Sequence, residues 1–367
     1  MHSHSSRLRC RRAIGAFVRA SYRSIRTGEL SEPQFKIMRI IKTKIKSIFI
    51  LIMILLLSFT TFATTVSDPI EQNAMNILNG YYAPYYFSKD HQLYLKANAI
   101  KNLNKSIPTV IVGSSHLQSL ATKDVGTDCI NLSIGGGTFQ DKLNTLGLLD
   151  YYKVKYNRII MDFTMVELCA YTNADVKASP LNSFGKYFIE VIKNKKKSKP
   201  ITDFNTYYKN TEDFDLNKKY TEEELDKKAF YYRKDFSTLY SDLVYINREA
   251  SLAKLNEIID SEANISKFRI SNEAKQIVID MIKYFNSKSI KVNLMMIPKP
   301  PAIFNKLEMY KFPVVKEMTD LFINLVVNYG CRVEGAYDPN FIGATMEDFY
   351  DCYHMYPESF KKFYKFD

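Results

Sequence analysis

The chain is 367 residues long, 46% apolar and 25% charged, with a formal net charge of +12. Such a composition supports one large core, or a core with an appended subdomain, and excludes a largely disordered protein. The positive surplus is local, because Met1–Val66 carries 12 Lys/Arg against 2 Asp/Glu while the other 301 residues carry 39 against 37. A duplex-binding face needs clustered cations on the folded domain itself, so nucleic acid is not an expected partner.

Met1–Ile37 uses 7 Arg and 1 Lys, whereas the remainder uses 6 Arg and 37 Lys. This reversed bias marks residues 1–47 as a basic N-terminal extension outside the fold, with Met38 as an alternative start. Residues 48–66, IFILIMILLLSFTTFATTV, hold no charge over 19 positions. At about 1.5 Å per residue that is enough to cross a bilayer core. Lys36, Arg39, Lys42, Lys44 and Lys46 precede it and no cation follows before Lys89, which predicts an extracytoplasmic location for the rest of the chain. The basic run from Met38, the apolar run and Thr61-Phe62-Ala63 also have the form of a secretory signal, so the segment is read as a transmembrane anchor or a cleaved signal peptide. Cys129, Cys169, Cys331 and Cys352 lack paired C-x-x-C spacing, which indicates neither a zinc site nor an assignable disulfide set.

After a helical lead-in over residues 67–107, strand and helix alternate. Val110–Val112, Cys129–Leu132 and Arg158–Phe163 read as three short buried strands. Between the second and third, Thr138 with Asp141 starts a helix carrying Phe139, Leu143, Leu146 and Leu149. Ser271 opens another with Ile277, Met281 and Tyr284; a strand follows at Val292–Ile297, a helix at roughly Leu307–Asn328, and a fifth strand at Arg332–Ala336. The pattern predicts an α/β fold, a three-layer α/β/α domain over residues 108–367 with a five-stranded, mostly parallel, flavodoxin-like sheet. Residues from about 178 to 270 interrupt it as an insertion in which helices are expected between Glu222 and Ile259, either a solvated excursion or a lid over the strand ends. Lys193–Lys199 reads as an exposed linker.

In open parallel sheets ligands bind beyond the carboxyl ends of the strands. After the first strand comes Gly113-Ser114-Ser115-His116, where a glycine turn exposes Ser115 at a helix start, although serine there is also an ordinary N-cap. After the second comes Asn131 to Gly137, whose glycines allow close backbone approach without the spacing of a dinucleotide fingerprint. Asp351 and His354 follow the last strand three residues apart, so the carboxylate can orient the imidazole while its other nitrogen takes a serine proton. His91 reads as structural, His116 as too close to Ser115 along the chain to serve as its base, and Asp348 as a weaker candidate than Asp351.

Gly113-Ser114-Ser115, Asn131 through Gly136 and Asp351-x-x-His354 resemble the blocks of the SGNH (GDSL-like) hydrolase superfamily in order and spacing. The membrane-linked arrangement looks most like its cell-envelope members, such as teichoic acid D-alanyl transfer and alginate O-acetylation proteins. The resemblance implies Ser115 as nucleophile, His354 as base and Asp351 as its partner, with the N–H groups of Ser115 and Gly136 in the oxyanion hole. The expected activity is that of an exported serine esterase or O-acyltransferase acting on acyl esters of an envelope polysaccharide or related polymer, without metal or organic cofactor. An acyl-donor membrane protein is a further expected partner. The family's third block carries an Asn, whereas this chain reads Met161-Asp162-Phe163-Thr164-Met165-Val166-Glu167. Thr164 is left as a substitute donor and Glu167 as a substrate contact, with Asn131 grouped beside them. One lost oxyanion donor costs roughly a hundred- to thousandfold in rate, so the alternative is a catalytically inactive polysaccharide-binding or assembly protein of the same fold.

Overall fold

Four largely apolar, buried runs and a half-buried edge strand form one all-parallel sheet, its central strands covered by crossover helices. They are β1 (Thr109–Val112), β2 (Cys129–Asn131), β3 (Arg158–Asp162), β4 (Lys291–Met296) and β5 (Arg332–Gly335), in the order β2-β1-β3-β4-β5. Registers such as Ile111 beside Asn131, Val112 beside Met161 and Met296 beside Gly335 bring all five carboxyl ends to one edge. The order reverses at β1, whose neighbours are β2 on one side and β3 on the other, and this is where an open α/β sheet leaves a crevice.

The computed structural model describes residues 68–366 except 86–87, 104–105, 170–178, 208–218, 227–228 and 241–247. The basic extension and the apolar segment Ile48–Val66 lie outside the described residues. Among the described residues no helix is long and apolar enough to cross a membrane.

Side chains alternate across the sheet, so it separates two cores. Val110, Val112, Ile159, Met161 and Leu294 face one side, whereas Ile111, Ile160 and Met295 face the other. The first core contains residues of α1 (Pro69–Leu78), α2 (Lys89–Lys101), α3 (Phe139–Tyr151), α4 (Asn182–Ile192), α5 (Asn272–Ser287) and α6 (Pro313–Tyr329). The second layer is thinner, supplied by Val125 of a one-turn helix, Leu117 and the C-terminal helix Pro357–Phe363. The expected three-layer α/β/α architecture is therefore present, with every pairing in its central sheet parallel.

The capping signals act as expected. The N–H of Asp141 donates to Thr138 Oγ1 at 3.3 Å while the N–H of Thr138 donates to Asp141 Oδ2 at 2.8 Å, opening α3. Ser271 Oγ accepts from the N–H of Ala274 at the start of α5. The helix expected from Leu307 starts later, because Pro313 has no N–H to donate and holds Phe312 extended; Pro301–Lys306 is a separate short helix.

The insertion departs further from expectation. Among the described residues its helices are α4, Arg248–Leu252 and Leu255–Glu262 plus single turns, and Tyr231–Tyr232 pairs antiparallel with Thr238–Leu239 and with Ala83–Pro84. Two-residue strands give no readable alternation, and the hairpin is made by its turn, where Asp235 Oδ1 accepts from the N–H of Ser237 at 3.0 Å. This hairpin is not a loose excursion. Asp235 O accepts from the N–H of Asn131 and the N–H of Thr238 donates to Gln118 O, each at 2.7 Å, fastening it to the end of β2 and to the segment that follows β1. Cys129, Cys169, Cys331 and Cys352 are free thiols.

Candidate active site

Ser115 opens a single 3-10 turn immediately after β1. The turn needs Gly113, because a β-carbon there would lie 2.7 Å from Leu117 Cδ1 and 2.8 Å from Asp162 Oδ1. Asp162, the last residue of β3, accepts the N–H of Ser114 at 2.9 Å and its hydroxyl at 2.5 Å. Ser114 Oγ in turn accepts from the N–H of His116. Of the two adjacent serines, Ser114 is thus consumed in shaping the turn, and Ser115 keeps its hydroxyl for the strand edge.

The other half of the site comes from the C-terminal loop. Phe349 and Met355 form an antiparallel bridge, and Tyr350 N–H donates to His354 O at 3.1 Å, so residues 350–354 close into a tight loop. Asp351 Oδ1 accepts from the N–H groups of Tyr353 and His354, which places its second oxygen 2.8 Å from His354 Nδ1. His354 Nε2 lies 2.8 Å from Ser115 Oγ. Residues 239 positions apart therefore meet in one hydrogen-bonded chain, Asp351–His354–Ser115. Burial opposes ionisation of Asp351, but the ring and main-chain hydrogen bonds of His354 outweigh it and hold the carboxyl below its ordinary range. Asp348 is engaged elsewhere, accepting from Thr345 and Lys362 beneath the same loop.

The insertion braces this loop as well as the serine turn. Arg248 donates to the carbonyl oxygens of Phe349 and Met346 at 3.1 and 2.9 Å, and Cys352 Sγ donates to Ser251 O. Tyr240 lies against Tyr350 with ring centroids 5.7 Å apart. Sequence reasoning divided the insertion between excursion and lid, whereas these contacts make it a buttress.

Gly136 adopts φ +63°, a backbone that glycine takes without steric cost. Its N–H and that of Ser115 donate to no acceptor among the described residues. Gln92 of α2 fixes the preceding residue, its Oε1 accepting from the N–H of Gly135 at 2.9 Å and from Gln118 Nε2 at 2.8 Å. Buried Lys96 donates to Ser133 O in the same loop, and burial pushes its pKa down to about 7.

Two residues grouped with substrate contacts point inward instead. Asn131 is fully buried, its Nδ2 donating to Leu117 O and Leu120 O and its Oδ1 accepting from the N–H of Ser133, so it ties the serine turn to the glycine loop. Glu167 is bonded to Lys142 Nζ at 2.6 Å and receives the N–H of Thr164 at 3.1 Å. Lys142 also pairs with Asp162 at 3.0 Å, so one buried lysine joins two carboxylates. Burial resists charge throughout this cluster; Lys142 nevertheless keeps Asp162 below the ordinary carboxyl range, while Glu167 is raised to about 7. Thr164 stays at the strand edge, its hydroxyl accepting from the N–H of Glu167.

Asp162, Lys142, Ser114 and Gln92 escaped sequence reasoning. A signal was present at Lys142, which shares the inner face of α3 with Phe139, Leu143 and Leu146, where a lysine must find a buried counter-charge. His91 is buried in α2, which lowers its pKa to about 4, and does not join the site's hydrogen-bonded chain. Tyr350 and His116 both flank the ring of His354.

No protein-family profile matches this chain, and no curated protein sequence matches it either.

Proposed function

We propose that this chain is an SGNH-type serine esterase or O-acyltransferase, exported through its N-terminal apolar segment, that acts on acyl esters of an envelope polysaccharide or related polymer. The observation that carries the reading is the Asp351–His354–Ser115 chain, with both of its side-chain links at 2.8 Å. An isolated serine hydroxyl is a weak nucleophile, and a base oriented by a third group is what activates it. Ser115 Oγ attacks the acyl carbonyl while its proton passes to His354 Nε2. Asp351 holds the Nδ1–H tautomer and stabilises the imidazolium. The tetrahedral oxygen meets the uncommitted N–H groups of Ser115 and Gly136. His354 returns the proton to the departing alcohol, and water or a second hydroxyl then takes the acyl group from Ser115.

The polymer and the membrane partner rest on the resemblance of the sequence blocks and on the apolar segment, not on the geometry of the site. A fluorophosphonate probe applied to the full-length protein tests the reading. Covalent labelling that disappears in Ser115→Ala is expected. An intact, folded protein that takes no label would instead favour the silent polysaccharide-binding alternative.

A further inference from the structure

The edge of the sheet opposite Ser115, where the strands begin, collects cations. Lys153 and Lys155 lie between α3 and β3, and Lys288 between α5 and β4, all of them exposed. Backbone hydrogen bonds gather these connections, Ile107 N–H donating to Lys155 O at 3.0 Å and Lys291 N–H to Asn157 O at 2.8 Å. Between the ends of α4 and α5 an open groove of about 600 Å³ has Val191 and Tyr284 in its lining with Lys193, Lys195 and Lys283. Its carboxylate, Asp280, already accepts from Gln276 Nε2 at 2.8 Å. From this groove residues 193–199 run on with five lysines and no acid. Among the described residues none of Lys153, Lys155, Lys193, Lys195 and Lys283 forms an ion pair.

Apolar side chains stand beside these cations. The last turns of α6 expose Ile323, Val326 and Val327, the last of them by 74%. Lys283 Nζ lies 5.8 Å from the centre of the Tyr329 ring and Asn286 Nδ2 donates to Tyr329 O at 2.7 Å, so the end of α6 adjoins the α5 wall of the groove. Exposed valines next to lysines suit the boundary of a bilayer, where the valines enter the headgroup layer and the ammonium groups meet phosphates. A soluble polyanion would use the lysines and leave the valines in water.

The chain also enters the domain at this edge. Glu71, in the first turn of α1, pairs with Lys101 at 3.1 Å and accepts from Asn102 Nδ2 at 2.9 Å, so α1 begins where α2 ends. Asp68 caps α1, and only Ser67 separates it from the uncharged run Ile48–Val66. We propose that the amino edge of the sheet is a membrane-facing surface for anionic phospholipid headgroups, with Lys193, Lys195 and Lys283 on their phosphates and Val326 and Val327 in the interface. The proposal rests on the reading of Ile48–Val66 as the segment through which the chain is exported, and it adds an orientation to that reading. β1 and β4, four and six residues long at about 3.3 Å each, set the serine edge about 13–20 Å beyond this surface. Ser115 then faces away from the bilayer, toward esters that stand off the membrane rather than those of the lipids beneath it.

The chain contains no tryptophan, so Val327→Trp and Phe341→Trp each install a single reporter. Phe341 is 82% exposed in the short helix that follows β5, on the serine edge. Full-length protein carrying either reporter is reconstituted into vesicles of phosphatidylcholine alone, or of equal phosphatidylcholine and phosphatidylglycerol, containing lipid with a quenching nitroxide near the headgroup. Val327→Trp is expected to be quenched in the anionic vesicles and much less in neutral ones or at high salt, while Phe341→Trp is quenched in neither. A lysine near an anionic surface contributes about a factor of five, so Lys195→Gln with Lys283→Gln should lower the ratio of docked to undocked domain about 25-fold. Val327→Trp without quenching, quenching indifferent to lipid charge and to the lysine variants, or quenching of Phe341→Trp instead would overturn the proposal. Soluble heparin altering Val327→Trp emission where anionic vesicles do not would overturn it in favour of an anionic polymer. Fluorophosphonate labelling of the same preparations separates the two readings: labelled protein with an unquenched Val327→Trp fails only here, and quenched protein that takes no label fails only the acyl-enzyme reading.

Discussion

The ring of Tyr350 lies nearly parallel to the imidazole of His354, with centroids 5.6 Å apart and planes inclined by 10°. With one ring nitrogen directed at Ser115 and the other at Asp351, the imidazole works only in one plane, and the tyrosine face opposes its rotation out of that plane. Aromatic pairs of this kind contribute about 0.5–1.5 kcal/mol, equivalent to a rate factor of up to about ten. Tyr350→Leu is therefore expected to slow fluorophosphonate labelling of Ser115 by up to about tenfold without abolishing it. A rate equal to wild type would mean that Asp351 alone fixes the ring.

Asp351→Asn makes a sharper test. The amide oxygen can still accept the N–H groups of Tyr353 and His354, so the loop survives, but an N–H₂ group now faces Nδ1 and reverses the imidazole tautomer. In a serine–histidine–aspartate site that change costs roughly 10⁴ in rate. Labelling kinetics should fall on that order while the melting midpoint moves by only a few degrees.

The adjacent serines should separate stability from chemistry. Ser115→Ala removes a hydroxyl from the strand edge and is expected to abolish labelling with little loss of stability. Ser114→Ala leaves Asp162 without one of its buried donors, at a cost of about 1–3 kcal/mol, yet keeps the nucleophile. Denaturant unfolding and labelling, measured on both variants, should give opposite orders of severity.

Glu167 predicts a pH dependence. Burial is the largest influence on it and, against the attraction of Lys142, raises its pKa from 4.5 to about 7. Between those values the folded chain holds a proton that the unfolded chain has released, so this group's contribution to stability is lost as pH rises from about 4.5 to 7. Glu167→Gln removes the titration. The difference in melting midpoint between pH 5 and pH 8 should shift toward greater stability at pH 8 in the variant than in the wild type.

The sheet was legible because its first four strands are short, largely apolar runs followed by a glycine, a proline or a polar turn, and because the helices between them carry capping pairs such as Thr138 with Asp141. The meeting of Ser115 with His354 and Asp351 was legible for the same reason, since parallel strands deliver their following loops to one edge. What escaped was everything decided by side-chain direction. Asn131 and Glu167 occupy the expected positions along the chain, but one turns into main-chain carbonyls and the other into a buried lysine. The hairpin at Tyr231–Leu239 is too short for periodicity to mark, and its role depends on contacts with Asn131 and Gln118 that no local pattern encodes.

If Ser115 is the nucleophile and His354 its base as proposed, their 239-residue separation also sets when the hydroxyl becomes reactive. A growing chain that has already formed β1 and the serine turn carries an unactivated alcohol until the loop at 350–354 has been synthesised and locked down by Arg248. The nucleophile is thus armed by the late arrival of its base, and a polypeptide halted short of residue 351 is expected to be chemically inert however well its first strands have paired.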